Sequence, residues 1–600
     1  LVVLAPFVRI REAMPDAPWS ARFMFTMGDI QYFDQVRGLA ELAFGEPAVL
    51  EHVGDGFPSF PLVSVVGAAI CYAMFGPAGL IVNSIISLLL TLALARILMR
   101  VMGLNAIIAT TAAAVLTLVP WFDVAKLGQV SLFSFWHDRI GRPVGTIWLI
   151  TLALIAFAAI VRSKHHRSSA GTWMLLALGV ALTVQGNFHT GICLGLACFV
   201  LFVWTLVESI REKTIAQLLK NIALATIVGL IAMTPFFAAR LLEYKPDGPQ
   251  RLGMIELPRL RPFIDGDKKS ILYAATGAIG ASVAAAITLI SFRNPTSENN
   301  PRRIWFVMPL LIVLAFFTMP ISVILLGKGA QMFHFRETVR IVITIAFFSG
   351  AFLFLQLVIS RIAHQRHQLA CGLAVVLLIV VPITARAAFI APTSTFTYRF
   401  NSPDRKLTGI RSEFTQLVKE LESEKYKDAK VLGSFDAGVS VWWTFMHHGY
   451  TFMPDVLTSS MRETDIEKRY AIFCRELRLS SDEFQNRITM EHTLFFRIGQ
   501  GIYTVNDRYH RDPLETYTLE DQESIKRTSP VRAWNMKVSI PERERLVALF
   551  ESTSEIGSMP RLDLIVLTAD EIDRSYQTDP ARYEKTFSNG IYEVFRRIEN

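Results

Sequence analysis

Long apolar runs separated by short polar loops occupy the first two-thirds of the chain. A run of about 20 apolar residues is long enough to cross a bilayer as a helix. The runs lie at roughly 78–100, 104–122, 144–162, 172–189, 191–208, 218–239, 271–292, 304–326, 338–360 and 369–391. Residues 1–10 are apolar but short, and we interpret them as the end of a further transmembrane helix, with a signal-sequence remnant as the alternative. The pattern predicts about eleven transmembrane helices.

One apolar segment, Pro61–Phe75, is shorter than the others and is followed by Gly76-Pro77. A run of about 15 residues is too short for a full crossing. We therefore predict a juxtamembrane or re-entrant helix here.

Lysine and arginine concentrate in every second loop. The basic loops contain Arg96 and Arg100; Arg162, Lys164 and Arg167; Arg211, Lys213 and Lys220; Arg293, Arg302 and Arg303; and Arg361 and Arg366. Since cytoplasmic loops carry the excess of basic residues, these loops are predicted to face the cytoplasm. The opposite set, which includes residues 11–60, and everything after about residue 392 are predicted to face outward, across a bacterial inner (plasma) membrane.

The composition agrees with an integral membrane protein. Of 600 residues, 52% are hydrophobic and only 19% are charged, with a mean hydropathy of +0.37. The net charge of +8 is explained by the basic loops, and no basic stripe with interleaved aromatics indicates a nucleic-acid partner. The five cysteines form no CxxC pair, which argues against a disulfide framework or a thiolate metal site.

Polar and charged residues dominate from about residue 392 onward. Apolar strand-like segments alternate there with amphipathic helical ones, which predicts a small α/β domain. The predicted strands are 430–435, 450–453, 562–567 and 590–598, and the predicted helices are 411–426, 465–477 and one through Trp442-Trp443. The predicted fold is thus mostly α, with a transmembrane domain at 1–391, a first extracytoplasmic loop at 11–60, and a soluble extracytoplasmic α/β domain at 392–600.

The first loop contains the residues best suited to chemistry. Asp29 is followed by Tyr32 and Asp34, all close to the membrane surface. A carboxylate in a confined site there can take a proton from an acceptor hydroxyl, so Asp29 is the candidate general base. An ordinary solvated acid remains the alternative.

A second cluster in this loop, Glu51, His52 and Asp55, offers ligands for a divalent cation, with Asp29 as a further candidate. The spacing matches no strong metal motif, and a structural role is favoured. Mg²⁺ or Mn²⁺ is the cofactor that such oxygen ligands would hold.

The segment Asp29-Ile30-Gln31-Tyr32, with the proline-led Phe57–Leu62 and about ten following helices, resembles the GT-C-fold membrane glycosyltransferases. That superfamily has its catalytic Asp in the first extracytoplasmic loop, often paired with a second acid. The resemblance implies that Asp29 is catalytic, with Asp34 or His52 assisting. Gln31 stands where the second acid would be, which leaves the metal requirement open.

Two further segments are candidates for binding a lipid-linked donor. Gly128-Gln129-Val130-Ser131 is similar to the Gly-Gln-x-Asn segment of polyprenyl-phosphate-dependent members, although an interfacial amphipathic helix fits equally well. Arg336 and Arg340 are four residues apart, so they share a helix face at the outward boundary. Arginine suits phosphate recognition, and interfacial snorkelling is the alternative.

In the C-terminal part, Asp436 and Gly438 faintly resemble the Trp-Trp-Asp-Tyr-Gly region of oligosaccharyltransferases. The tryptophan pair follows the Asp instead of preceding it. A strand-to-helix turn is the favoured interpretation.

The resemblance to this superfamily implies a hexosyl- or pentosyltransferase that moves a sugar from a polyprenyl-phosphate donor to a glycan, lipid or protein acceptor. The first alternative is a non-catalytic member of the same fold that binds lipid or serves as a scaffold in a membrane complex. A transporter is less favoured, because few ionisable residues lie in mid-membrane.

Overall fold

A computed structural model describes much of the apolar part up to residue 243 and much of the polar part from residue 407. The described residues are 11, 15–26, 33–41, 62–118, 147–163, 169–186, 188–243, 254–256, 328–330, 407–447, 449–452, 463–489, 514–527, 538–553, 561–573 and 576–598, with scattered positions at 304–325 and 345–359. The predicted spans 271–292 and 369–391 lie outside them, so the number of transmembrane helices stays a prediction.

Helices make up most of the described chain. In chain order they are α1 (Trp19–Thr26), α2 (Phe33–Ala40), α3 (Leu62–Phe75), α4 (Gly79–Val101), α5 (Ala106–Leu118), α6 (Ile147–Arg162), α7 (Ala170–Gly186), α8 (Phe188–Arg211), α9 (Ile215–Glu243), α10 (Leu407–Leu421), α11 (Ala437–Met446), α12 (Glu463–Glu476), α13 (Ser481–Ile488), α14 (Leu519–Arg527), α15 (Ile540–Ser552) and α16 (Ala569–Asp573). The strands are β1 (Met254–Glu256), β2 (Lys328–Ala330), β3 (Val431–Ser434), β4 (Tyr450–Thr451), β5 (Leu564–Thr568), β6 (Tyr583–Ser588) and β7 (Tyr592–Arg597).

Helices α4 to α9 form an apolar bundle with a common core. Within the described residues, three stretches are long and apolar enough to cross a membrane: Val65–Val101, Thr190–Arg211 and Ile215–Ala238. Their charged residues all lie within about two turns of a helix end, as expected for membrane-crossing helices. The helices match the predicted spans to within a few residues.

Small residues let neighbouring helices in the bundle approach closely. A side chain at Gly191 would overlap the backbone of Val184, and one at Gly179 would press on Ala153 at 3.0 Å. Tight contacts of this kind are typical of helix pairs in membranes, where packing replaces the hydrophobic effect.

The short apolar segment forms a helix, α3, that folds back on α4. Gly76 has φ of 59°, a left-handed conformation that favours glycine, and begins a 3₁₀ turn over Gly76–Ala78. Gly67, before the turn, faces Asn83, after it: a Cβ at Gly67 would lie 3.3 Å from Asn83 Oδ1. The two helices therefore run antiparallel. Helix α3 has 14 residues, which is about 21 Å of helix and short of the ~30 Å hydrocarbon core.

Two loops predicted to face outward are joined by backbone pairing. Strands β1 and β2 form an antiparallel ladder in which Met254 pairs with Ala330 and Glu256 with Lys328. The loops that carry these strands therefore lie on the same side of the bundle, as the alternation of basic loops predicts.

The C-terminal unit, by which we mean the described residues from 407 to 598, contains a mixed five-stranded sheet in the order β4-β3-β5-β7-β6. Strands β4, β3 and β5 are parallel, and β7 and β6 extend the sheet in antiparallel fashion. The α/β fold predicted for this part is observed. Strand β6 and helices α13 to α16 were not predicted.

Alternate residues of the strands enter two different cores. Leu432, Leu564 and Val566 belong to a core that also contains residues of α1, α2 and α3, whereas Val431 and Ile565 belong to a core formed with α12, α13 and α15. This follows the two-residue period of a strand. We call the first of these the junction core. The sheet thus has one face on the N-terminal helices and the other on its own helices.

A buried ionic network links α13 to α16 at the far face of the sheet. Arg487 forms an ion pair with Glu571 at 3.1 Å and donates from Nε to the Tyr470 hydroxyl at 3.0 Å. Its guanidinium lies 3.7 Å from the centre of the Phe435 ring. Glu571 also accepts a bond from the Thr568 amide at 2.7 Å. Removal of either charge would leave its partner buried and uncompensated.

We therefore expect Glu571→Gln to destabilise the C-terminal unit by roughly 3–5 kcal/mol, because the Arg487 charge loses its counter-ion inside the protein. Urea denaturation of the detergent-solubilised chain, followed by tryptophan fluorescence, measures this change. Glu584→Gln is the matched control, since Glu584 is exposed. Equal midpoints for the two variants would show that the aromatic rings alone compensate Arg487.

We expect the C-terminal unit to lose stability at alkaline pH, because two buried groups near Arg487 are held protonated. Burial raises the pKa of Cys474 from 9.0 to about 12 and the pKa of Tyr470 well above its usual value. The folded state therefore keeps these protons while the unfolded chain releases them, so stability falls as pH rises above the unfolded value. Above pH 9.0 the free energy of unfolding should fall less steeply with pH in Cys474→Ala than in the unaltered chain, by up to ~1.4 kcal/mol per pH unit. Urea denaturation at a series of pH values measures this slope. An unchanged slope would contradict the assignment to this thiol.

Candidate active site

The first polar segment contains two short helices that pack on the C-terminal unit. Both α1 and α2 have eight residues, and helices of this length are not stable alone in water. Their apolar residues Ala21, Phe23 and Val36 are fully buried in the junction core. The segment that sequence analysis treats as a loop is therefore partly helical, because a core supplied by distant residues stabilises it.

Arg37 attaches α2 to the C-terminal unit. Its side chain is buried, and its guanidinium donates to the carbonyl of Thr444 at 2.6 Å and to the carbonyl of Gly449. The same side chain forms an ion pair with Glu41 at 2.9 Å. The planar fork of arginine can serve several acceptors at once, and Thr444 lies at the C-terminal end of α11, where the helix dipole favours a cation. We call this set of contacts the Arg37 clamp.

The backbone that receives Arg37 is itself tightly packed. Gly449 has no room for a side chain, because the Trp443 indole lies against it. Trp443 donates to the Lys430 carbonyl at 2.9 Å and stacks on His447 with ring centroids 4.0 Å apart. The carbonyls that bind Arg37 are therefore held in a rigid part of the unit.

Aromatic contacts join α1 and α3 to the same unit. Phe445 stacks on Phe23 with centroids 6.1 Å apart and contacts the Tyr72 ring at 4.8 Å. The Tyr72 hydroxyl donates to the Phe445 carbonyl at 3.2 Å, and Ser20 donates to the Glu422 carboxylate. The N-terminal helices are thus fixed at the junction between the membrane bundle and the C-terminal unit.

Of the predicted site residues, Asp34 is in the described part of the chain. It lies in α2, three residues before Arg37 in the sequence. The other predicted site residues lie outside the described residues: Asp29, Glu51, His52, Asp55, Gln129, Arg336 and Arg340. Their roles stay predictions. Lys328 lies in β2, opposite Glu256.

Asp436 has a structural role, as the favoured interpretation predicts. It caps α11, and its side chain accepts a hydrogen bond from the Val439 amide at 3.1 Å. Trp442 and Trp443 are fully buried in the junction core. The region is a strand-to-helix turn, and its tryptophans are core residues.

The residues that attach the N-terminal helices to the C-terminal unit were not predicted. Arg37 and Tyr72 had no predicted role, and both form long-range bonds to the C-terminal unit. A signal for Arg37 does exist, because it lies beside Val36 and one turn after Asp34 in a segment with a helical apolar period. The partners, more than 370 residues away, carry no local signal.

No protein-family profile matches the chain, and no curated protein matches it in sequence. Among solved structures, the chain is similar to the oligosaccharyltransferase of Archaeoglobus fulgidus in the apo form, with a TM-score of 0.38 and 11% identity over 95% of this chain and 69% of that one. A structure of the archaeal enzyme AglB from the same organism, with an inhibitory peptide and a dolichol-phosphate, aligns with a TM-score of 0.38 and 12% identity over 95% and 69% of the two chains.

ArnT from Cupriavidus metallidurans in the apo state aligns with a TM-score of 0.37 and 12% identity, over 99% of this chain and 97% of that one. These neighbours are GT-C-fold glycosyltransferases, the class that the sequence motifs resemble. At such TM-scores and identities no residue role or activity passes from them to this chain.

Within the described residues, no group of three or more His, Cys, Asp and Glu side chains could hold a metal ion. The predicted cation ligands lie outside those residues.

Loss of the Arg37 clamp should weaken the attachment of α2 to the C-terminal unit. Arg37→Ala should leave the buried carbonyls of Thr444 and Gly449 without these donors, at a cost of about 1–3 kcal/mol for each unsatisfied group. We expect α2 to detach and the segment from residue 19 to 41 to become sensitive to limited proteolysis of the membrane-embedded chain. Arg561→Ala, at an exposed arginine, is the control. Equal protection in both variants would show that the junction core alone fixes α2.

Proposed function

We propose that the chain is a membrane glycosyltransferase that moves a sugar from a polyprenyl-phosphate donor to an acceptor on the outer face of the membrane. The observation that carries the proposal is the Arg37 clamp, which attaches the acid-bearing first segment to the C-terminal unit. The same junction core includes Leu80, at the start of the membrane helix α4. An acid near this junction would meet both a donor in the lipid and an acceptor in water.

In the proposed reaction Asp29 is the general base. It takes a proton from the acceptor nucleophile while that nucleophile attacks the anomeric carbon of the donor sugar. The bond between that carbon and the phosphate oxygen breaks, and polyprenyl phosphate leaves. Asp34 and His52 assist, either by orienting the acceptor or by sharing its proton.

The leaving phosphate gains negative charge, which a fixed cation would stabilise. We assign this role to Arg336 and Arg340, with Gln129 as a further donor to the phosphate. Support comes from the β1–β2 ladder, which holds the loop before Arg336 against a second loop on the same side of the bundle. A divalent cation, Mg²⁺ or Mn²⁺, would be held by Asp29, Glu51 and Asp55 and would neutralise the phosphate charge.

The C-terminal unit is proposed to belong to an extracytoplasmic domain, residues 392–600, that meets the acceptor. In this arrangement the transmembrane domain spans 1–391 in a bacterial inner membrane, with the C-terminal domain in the periplasm. Two observations support this orientation. Arg100, Arg162 and Arg211 lie at the helix ends on one side of the bundle, and the first segment contacts the C-terminal unit at the other side.

One rival function is supported by a specific residue. Gln31 stands in place of a second acid, as expected for a non-catalytic member that binds lipid or serves as a scaffold in a membrane complex. A transporter finds less support, because the charged residues of α4 to α9 lie near helix ends.

The enzyme and scaffold proposals differ in what Asp29→Asn does. If Asp29 is the base, transfer of labelled sugar from a polyprenyl-phosphate donor to a membrane extract of acceptors should fall by at least ~10²-fold. The loss should appear in kcat, with the protein still inserted and folded. Asp428→Asn, at an exposed acid of the C-terminal unit, is the matched control and should retain full activity.

Unchanged transfer in Asp29→Asn would refute the assignment of the base. Absence of transfer by the unaltered chain, together with retained donor binding, would favour the scaffold function.

A further inference from the structure

Three arginines converge at the turn between α4 and α5. Arg96 and Arg100 are one helical turn apart near the end of α4, and Arg162 is the last residue of α6. Arg162 donates from Nη1 to the Val101 carbonyl at 3.0 Å, and Arg100 donates from Nη1 to the Leu104 carbonyl at 3.0 Å. Two side chains from different helices are therefore held on the same turn.

The remaining contacts make this turn rigid. Arg96 donates from Nε to the Thr110 hydroxyl at 3.0 Å, which ties α4 to α5. The Asn105 amide donates to Gln356 Oε1 at 2.6 Å, and Gln356 Nε2 donates to the Gly103 carbonyl at 3.3 Å. The guanidinium groups are thus positioned by a turn whose backbone is itself bonded.

The positive charge at the turn is not balanced within the described part of the chain. There, none of Arg96, Arg100 and Arg162 forms an ion pair with a carboxylate, and Arg100 and Arg162 repel each other. The Nε of Arg162 is shielded from solvent and has no acceptor among the described residues. A shielded donor on a charged group is costly when it has no partner. An anion with several oxygens, bound to the accessible parts of the two guanidinium groups, would balance both charges.

The turn lies far from the C-terminal unit. Helix α4 has 23 residues, which corresponds to about 35 Å and is enough to cross the hydrocarbon core. Its first turn, at Leu80, belongs to the junction core, so Val101 lies at the opposite membrane face. The positive-inside pattern predicts that this face is cytoplasmic.

The surroundings of the turn indicate a lipid. Arg96 and Arg100 are exposed, and beside them Ile97 and Ile107 are 46% and 40% exposed. Exposed isoleucines at the end of a membrane helix face acyl chains, so the guanidinium groups lie at the depth of a headgroup. Basic clusters between transmembrane helices on the cytoplasmic side are known to bind anionic headgroups.

We propose that the turn formed by the ends of α4 and α6 and the start of α5 binds the phosphate of an anionic lipid in the leaflet opposite the C-terminal unit. Arg100 and Arg162 contact the phosphate, and Arg96 supplies a further positive charge. This site is independent of the proposed transfer reaction and lies at the other membrane face.

The test measures lipid retention by the full chain. The protein is reconstituted in nanodiscs of phosphatidylcholine with a minor fraction of phosphatidylglycerol, and retained lipids are counted by native mass spectrometry. Arg100→Gln and Arg162→Gln should each reduce retained phosphatidylglycerol about fivefold. The control is Arg211→Gln, which removes an exposed charge at the same end of the bundle but outside the turn. It should leave the amount of retained phosphatidylglycerol unchanged. If Arg162→Gln fails to fold, Arg100→Gln still tests the proposal, because Arg100 is exposed and its replacement should not disturb the fold.

A second arm distinguishes lipid from free phosphate. Inorganic phosphate is added to the protein in pure phosphatidylcholine, and the unfolding temperature is compared with that in phosphatidylglycerol. A shift with the lipid alone, lost in Arg100→Gln, supports the proposal. An equal shift with inorganic phosphate, or equal lipid loss in Arg211→Gln, overturns it in favour of a free-anion site or of unspecific surface charge.

Discussion

The buried guanidinium of Arg37 joins the first polar segment to the C-terminal unit. It belongs to a helix that is too short to be stable alone, and its acceptors are carbonyls of the C-terminal unit. Water is excluded there, so the bonds are strong and their loss is costly. Around it, residues from α1, α2 and α3 share one core with the sheet. The position of the first segment, and of any chemistry it carries, depends on this attachment.

The membrane bundle and the junction have different stabilising forces. In the bundle, glycines such as Gly179 and Gly191 allow close backbone packing. At the junction, aromatic rings and charge-assisted hydrogen bonds dominate, as the stacking of Phe23 on Phe445 illustrates. The change follows from the solvent, because lipid offers no hydrophobic gain between helices whereas the aqueous side does. Helix α3 belongs to both regions, since it packs on α4 and on the C-terminal unit.

Sequence patterns predict those parts of the fold that depend on local physics. The long apolar runs locate α4 to α9, and short apolar runs locate β3 and β5, because the bilayer sets the length of the first and a sheet covered on both faces sets the composition of the second. The helical state of α2 was not predicted, since a helix of this length is not stable alone and depends on contacts with Thr444 and Gly449, which are remote in sequence. For the candidate site, residue type and position make Asp34 a candidate, and its role stays a prediction. Arg37 was missed because its partners are visible only in three dimensions.

The remoteness of these partners has a consequence for the timing of folding. Arg37 and Thr444 are 407 residues apart, so α2 cannot be completed until those residues have been made. At synthesis rates of roughly 5–20 residues per second, that delay is on the order of 20–80 s. Throughout this time the apolar residues of α1 and α2 have no core. A holding factor at the membrane surface, or transient burial in the headgroup layer, would protect them while the rest of the chain is inserted.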